Sequence, residues 1–318
     1  MSFNPEKFVQ QEIENVKKQI GNAKAIVALS GGVDSFTAAT LAGKAIGKNL
    51  FAVYVDTGLM RKNETEKVKI AAQKVGLNLK VIHAEDKFLS ALKDVTDPEQ
   101  KRKIIGELFI RIFEEESKKD KVTYLIQGTI APDWIESGGA GRHNIKSHHN
   151  VGGLPQKMNL LLCEPLREIY KHEVRESAKA LGLPDYIYNR QPFPGPALAV
   201  RIIGSITKEK VKLLQEAIDI VETEIESAAK NNQIQLPWQY FAALLDTKTV
   251  GVRGDERSYQ YTLAVRAVDS LDGMTANFSH LPSELLQKIS TRITNEVREI
   301  GRVVYDITNK PPATIELE

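Results

Sequence analysis

The residues best suited to chemistry form a short turn, Ser-Gly-Gly-Val-Asp-Ser, at 30–35. An apolar run typical of a buried strand precedes the turn, and a helix-like run follows it. Two glycines permit positive φ, and the start of a helix offers free N–H groups to an anion. Asp34 beside a phosphate would repel it, so we expect Mg²⁺ to bridge the two. The structural alternative is a tight turn in which Ser30 or Asp34 serves only as a cap.

Two common phosphate-binding patterns do not fit this turn. The Gly-Lys-Ser/Thr ending of the phosphate loop does not follow the glycines, and the dinucleotide pattern Gly-x-Gly-x-x-Gly is not found there. A P-loop kinase and a Rossmann dehydrogenase are therefore both disfavoured.

The elements that must position the turn alternate between strand and helix. Four short runs rich in β-branched residues predict strands at 25–29, 50–56, 79–84 and 122–127, with helical patterns between them. This alternation predicts an α/β domain with a parallel sheet and helices on both faces. In such sheets ligands bind beyond the carboxyl ends of the strands.

Three carboxylates follow strands of this predicted sheet. Asp56 ends the second strand, where an acidic residue often contacts a ribose, although a cap or a loop salt bridge is equally consistent. Asp133 and Glu136 follow the fourth strand, where they could share a metal, order an adenylate or lie in an ordinary solvated loop. The residues alone leave these alternatives open.

Two stretches after the predicted sheet interrupt the alternation of strands and helices. Residues 137–157 are polar, glycine-rich and without periodicity, which is typical of a lid loop or an insert. The proline-rich stretch at 190–204 marks a boundary, and the helices and strands predicted after it suggest a smaller α+β domain. We therefore predict domains at 1–195 and 196–318.

Composition narrows the class of protein. With 43 Lys+Arg against 41 Asp+Glu, the net charge of +2 gives no case for binding nucleic acid or membranes. The single cysteine, Cys163, excludes an intrachain disulfide. No run has the length of a signal peptide core or a membrane span, which predicts a cytoplasmic protein.

The turn at 30–35 resembles the pyrophosphate-binding loop of the N-type ATP pyrophosphatases, whose fold is adenine nucleotide alpha hydrolase-like. Longer strings in both predicted domains resemble GMP synthetases in particular. They are VDTGLMRKNE (55–64), QGTIAPDWIESGG (127–139), IKSHHNVGGLP (145–155), EPLREIYKHEVR (164–175), RQPFPGPALAVRI (190–202), VGVRGDERSY (250–259), AVRAVDS (264–270) and GRVVYDITNKPPATIELE (301–318). Gln191, Ala197 and Leu317 depart from the family pattern, and we expect these departures to affect only local packing.

The resemblance implies that XMP is adenylated by ATP with Mg²⁺, that pyrophosphate leaves, and that ammonia then displaces AMP to give GMP. The residues implied to bind ATP and pyrophosphate are Ser30, Gly31, Gly32, Val33, Asp34, Ser35, Asp56 and Gly128, with Asp34 also catalytic and a metal ligand. Lys146, His148 and His149 are the implied catalytic residues of the lid. A zinc site there is disfavoured because adjacent histidine side chains do not converge easily.

For XMP the resemblance implies a second set of residues: Arg253, Asp255, Arg257, Lys310, Ile315 and Glu316. The guanidinium groups of arginines can bind a nucleotide monophosphate or purine carbonyls through paired hydrogen bonds. Taken alone, however, two arginines around an aspartate more often form an exposed, salt-bridged turn. In the family the tail carrying Lys310 lies at a dimer interface. The resemblance therefore implies a smaller dimerisation domain, a homodimer, and an XMP site to which the partner subunit contributes.

The nucleophilic cysteine of a glutamine-hydrolysing domain has no counterpart here, because Cys163 lies in an apolar run typical of a buried thiol. We also expect no room for such a domain before residue 24. The chain is thus expected to be a separate synthetase subunit that receives ammonia from a glutamine amidotransferase subunit. The alternatives are another pyrophosphate-releasing enzyme, such as an NAD synthetase, and a non-catalytic nucleotide-binding dimer.

Overall fold

The structure, a computed structural model, describes residues 3–136, 160–271 and 273–318, without the side chains of 134–136 and 253. Packing divides the chain into two compact units. The first comprises Met1–Asp56, Asn63–Ala84 and Ile105–Arg190, and the second comprises Thr57–Lys62, Glu85–Ile104 and Gln191–Glu318. The assignment of separate functions to domains 1–195 and 196–318 stays a prediction.

A five-stranded parallel sheet in the order β3-β2-β1-β4-β5 organises the first unit. Its strands are β1 (Ala25–Ala28), β2 (Leu50–Asp56), β3 (Leu79–His83), β4 (Tyr124–Ile126) and β5 (Leu161–Cys163). The central strand β1 pairs with β2 and with β4, so that Val27 lies between Ala52 and Ile126. The strand order therefore reverses beside β1, where sheets of this kind bind ligands. The predicted parallel α/β sheet is confirmed.

The described helices precede, separate and follow these strands along the chain. In chain order they are α1 (Pro5–Ile20), α2 (Val33–Ile46), α3 (Glu64–Lys74), α4 (Glu85–Ala91), α5 (Pro98–Lys119), α6 (Ala131–Glu136), α7 (Lys171–Ala180), α8 (Asp185–Tyr188), α9 (Lys208–Lys230) and α10 (Ser283–Glu296).

Helix α2, which follows the predicted anion-binding turn, is the most deeply buried helix around β1. Phe36, Ala38 and Leu41 have no exposed surface. At Gly43 a Cβ atom would lie 2.7 Å from Leu77 Cδ2, so only glycine permits this packing without a shift. A helix that is apolar on most of its surface must be buried, and this burial fixes the turn before it to the core.

A long hairpin of β6 (Gln239–Arg253) and β7 (Glu256–Asp269) forms the second unit's sheet. Strand β8 (Asn277–Phe278) pairs antiparallel with β7, and β9 (Ile300–Tyr305) pairs with it in parallel. Helix α9 begins directly after Thr207, whose Oγ1 accepts a hydrogen bond from the Lys210 N–H at 3.1 Å and so caps the helix. The predicted smaller α+β domain is confirmed in its architecture.

Three details of the structure differ from the sequence-based expectation. Strand β6 continues past its apolar run at 240–245 through residues 247–253, with an irregularity between Leu244 and Lys248. The short strand β5 was not predicted, because its apolar run follows the glycine-rich stretch directly. The string REIYKHEVRESAKALG at 167–182 predicts a helix from Arg167, whereas α7 begins at Lys171, since Tyr170 and Glu173 form the cap at its start. Within the described residues, none of the helices is long and apolar enough to cross a membrane.

Candidate functional site

The two serines of the turn between β1 and α2 fix its conformation through hydrogen bonds. Ser30 N–H donates to Ser35 Oγ at 3.2 Å, and the two hydroxyl oxygens lie 3.0 Å apart. Ser35 Oγ also donates to the Gly32 carbonyl at 3.0 Å. The first backbone bond of α2 comes from Phe36 N–H to that carbonyl, so the N–H groups of Val33 and its two successors have no partner within the helix. These groups suit an anion.

Predicted residues flank the turn on both neighbouring strands. Gly128 follows β4, and a Cβ atom there would lie 2.9 Å from the Asp34 carbonyl carbon, so the backbone approaches α2 more closely than a side chain allows. On the other side Asp56 ends β2, half-buried, and accepts a hydrogen bond from Thr65 Oγ1 at 2.6 Å. The structure thus brings the predicted ATP residues together at one edge of the sheet.

Asp34 has two carboxylate oxygens in different surroundings. Oδ2 forms an ion pair with Lys171 at the start of α7. Oδ1 is buried and has no hydrogen-bond partner among the described residues. A buried carboxylate oxygen without a partner is costly, and Mg²⁺ binds through such an oxygen together with phosphate oxygens. The donor set therefore fits the predicted metal.

Three charged residues at this turn were not predicted as site residues: Lys171, Arg190 and Glu64. Arg190 forms an ion pair with Glu64 and also donates to the Gly31 carbonyl at 2.9 Å. Lys171 and Arg190 lie in strings that carried the family resemblance, but only the folded chain shows that they contact the turn.

The other predicted residues of this unit are described only in part. Lys146, His148 and His149 lie outside the described residues, as does the side chain of Glu136. Asp133 Oδ2 accepts a hydrogen bond from the Ile130 N–H at 3.0 Å, so this carboxylate closes the turn into α6.

In the second unit the tail after β9 is anchored through buried arginines. Glu316 accepts two hydrogen bonds from Arg201, at 2.7 and 2.9 Å, and Arg201 has no exposed surface. The Ile315 carbonyl accepts from Arg266 Nε at 2.8 Å. Lys310 Nζ donates to the Gly273 carbonyl at 2.8 Å. Three predicted XMP residues therefore lie on one well-anchored segment.

The predicted arginines of the β6–β7 turn lie elsewhere in the unit. Arg253 pairs with Glu256 at the tip of the hairpin. Lys310 instead pairs with Ala276, next to the strand β8 that joins the far end of β7. Strand β7 has 14 residues, so at about 3.3 Å per residue the two groups are roughly 40 Å apart in one chain. The structure does not bring Arg253, Asp255 and Arg257 together with the tail.

Cys163 on β5 is 1% exposed, which confirms the expectation of a core thiol. Burial, with smaller contributions from Glu12 and Glu164, raises the pKa of the thiol to about 12. Because the thiolate is the nucleophile, this residue is unsuited to covalent catalysis near neutral pH.

Comparison with known proteins finds family models that match two parts of the chain. Residues 5–119 match the model described as NAD synthase, and residues 223–317 match the model described as GMP synthase C terminal domain. A GMP synthase [glutamine-hydrolyzing] subunit of Pyrococcus abyssi is 60% identical over 317 residues, which cover 99% of this chain and 100% of that protein. The corresponding subunit of Methanocaldococcus jannaschii is 57% identical over 317 residues, with the same coverage of each chain.

A single-chain relative is longer than this chain. GMP synthase [glutamine-hydrolyzing] of Thermotoga petrophila is 56% identical over 314 residues, which cover 98% of this chain but 62% of that protein. Among solved structures, NMN synthetase from Francisella tularensis aligns with a TM-score of 0.49 at 16% identity, covering 66% of this chain and 85% of that one. That likeness is too distant to bear on function.

The environment of Cys163 predicts that the thiol is inert and dispensable. Cys163→Ser should leave ammonia-dependent turnover within about twofold of the wild type, because a thiol buried in the core is not available to react. In the native wild-type protein at pH 8, iodoacetamide should label Cys163 only after denaturant is added, as mass spectrometry would show. Rapid labelling of the native protein, or a large loss of turnover in the variant, would contradict this assignment.

Proposed function

The chain belongs to the GMP synthase family, among the members that are separate subunits, and on that premise we propose that it converts XMP to GMP with ATP and ammonia. The observation that carries the proposal is the turn at 30–35, which offers backbone N–H groups to an anion beside the reversal of strand order. A ligase of this family needs such a site for the triphosphate of ATP.

The residues of the turn bind the β- and γ-phosphates of ATP as one unit. Backbone N–H groups at the start of α2 and the hydroxyls of Ser30 and Ser35 hold the charge that leaves with pyrophosphate. The C2 oxygen of XMP attacks the α-phosphorus, the bond to the β-phosphate oxygen breaks, and pyrophosphate departs. Ammonia then attacks C2 of adenylyl-XMP, AMP leaves with the former C2 oxygen, and GMP forms after loss of a proton.

Asp34 is the residue we assign to Mg²⁺. Its buried Oδ1 is the ligand atom, while Lys171 holds the other oxygen and so fixes the orientation of the carboxylate. The ion, when bound, neutralises pyrophosphate charge in the transition state. Lys146, His148 and His149 remain candidates for closing over the activated intermediate, which must be kept from water.

XMP is assigned to the tail residues Lys310, Ile315 and Glu316, whose segment is fixed by Arg201 and Arg266. The hairpin arginines lie roughly 40 Å from this tail in their own chain, by the strand length given above. Arg253 and Arg257 therefore contribute to XMP binding only from a second copy of the chain, which supports the proposal of a homodimer.

The ammonia donor we propose is a separate glutamine amidotransferase subunit. Relatives of the same length are named as one subunit of the synthase, which implies another subunit, and the single-chain relative from Thermotoga petrophila extends beyond the part that this chain matches. Cys163 supplies no nucleophile for glutamine hydrolysis.

Product analysis tests the proposed function. Incubation with XMP, ATP, Mg²⁺ and ammonium should give GMP, AMP and pyrophosphate in equal amounts, measured by chromatography and a coupled pyrophosphate assay. Formation of ADP and phosphate would contradict the mechanism. Turnover of deamido-NAD instead of XMP would favour an NAD synthetase, and tight binding without turnover would favour a nucleotide sensor.

Asp34→Asn tests the metal assignment. The amide keeps the shape of the side chain but loses the charge, so kcat should fall about hundredfold or more. Isothermal titration should also show weaker binding of pyrophosphate in the presence of Mg²⁺. Without Mg²⁺ no such weakening is expected, because the carboxylate then only repels the anion. The matched control is Asp185→Asn, an exposed carboxylate at the start of α8, which should behave as wild type. Equal pyrophosphate affinity with and without Mg²⁺ in the wild type would overturn the assignment.

A further inference from the structure

A buried ion pair lies directly beneath the turn at 30–35. Glu64, the first residue of α3, is 3% exposed, and Arg190, which follows α8, has a side chain 12% exposed. The guanidinium Nη1 of Arg190 is shared between the Glu64 carboxylate and the Gly31 carbonyl, the latter at 2.9 Å. Arg190 is 159 positions away from Gly31 in sequence, so the turn depends on a distant part of the chain.

The bond from Arg190 fixes one peptide plane of the turn. Gly31 has φ +82°, a backbone conformation that residues other than glycine rarely adopt. In a trans peptide the carbonyl and the next N–H point in opposite directions. Because the Gly31 carbonyl points to Arg190, the Gly32 N–H points away from it, to the side where Ser30 Oγ accepts that N–H at a long 3.3 Å.

The same ion pair leaves no space for a side chain at position 31. A Cβ atom there would lie 2.8 Å from Glu64 Oε1 and 2.9 Å from Arg190 Nη1, so the two side chains pack directly against the backbone. Glu64 cancels the charge of the guanidinium, which would otherwise be buried at high cost. The pair therefore acts on the turn through orientation rather than through net charge.

We propose that Arg190 and Glu64 are positioning residues that orient the Gly31–Gly32 peptide, so that its N–H group binds the β,γ-pyrophosphate of ATP. This inference rests on the proposed function, in which the turn binds pyrophosphate. Neither residue needs to touch the substrate. Without the pair the peptide is free to rotate, and its carbonyl would then face the anion and repel it.

The test compares two probes, inorganic pyrophosphate with Mg²⁺ and AMP, by isothermal titration on Arg190→Gln. Loss of one charge-assisted hydrogen bond to the turn should weaken pyrophosphate binding about tenfold or more. AMP carries no β,γ-phosphates and should bind within about twofold of the wild type. In kinetics the KM for ATP should rise, while Arg190→Lys, which keeps a cationic donor, should recover part of the affinity.

Lys80→Gln is the matched control, because it also removes a cation from an ion pair of the same unit. Lys80 pairs with Glu116 and lies near the start of β3, away from the carboxyl end of that strand. It should change neither affinity. Unchanged pyrophosphate affinity in folded Arg190→Gln would overturn the inference, as would an equal loss of both probes. If Arg190→Gln does not fold, the same two affinities are measured on Arg190→Lys. A loss of pyrophosphate affinity that exceeds the loss of AMP affinity supports the inference, and equal changes overturn it. A wild-type protein that binds no pyrophosphate would instead overturn the proposed function.

Discussion

The proposed anion site, formed by backbone N–H groups at the start of α2, is the constraint on which our account of the first unit depends. Such a site needs a buried helix, a turn with positive φ, and neighbouring strands that end at the same edge. The apolar surface of α2 supplies the first, Gly31 the second, and the order β2-β1-β4 the third. In the proposed mechanism the turn needs no lysine, because pyrophosphate leaves as a unit and no γ-phosphoryl group is passed to an acceptor.

The same need for charge compensation organises the tail of the second unit. Arg201 and Arg266 are fully buried, and each is paired with a carboxylate, Glu316 and Asp306 respectively. Removing one partner of such a pair leaves an uncompensated charge in the core, which typically costs about 3–5 kcal/mol. The tail is therefore held firmly in place, which the proposed XMP site requires.

Local features were predictable from the sequence, and long-range ones were not. The turn at 30–35, the strands around it and the core setting of Cys163 follow from short patterns of residues. The contacts of Arg190 and Lys171 with the turn do not, because they join positions that only the fold brings together. The separation of Arg253 from Lys310 was not predictable either, because the pairing of β6 with β7 that carries Arg253 away from the tail joins positions that only the fold brings together.

The most direct test of the central claim follows the oxygen at C2 of XMP. XMP labelled with ¹⁸O at this position should be converted with ATP, Mg²⁺ and ammonium, and the products should be analysed by mass spectrometry. If the C2 oxygen attacks the α-phosphorus while the turn at 30–35 holds pyrophosphate, the label appears in AMP and not in pyrophosphate. Label in pyrophosphate or phosphate, or its release into water, would contradict the account.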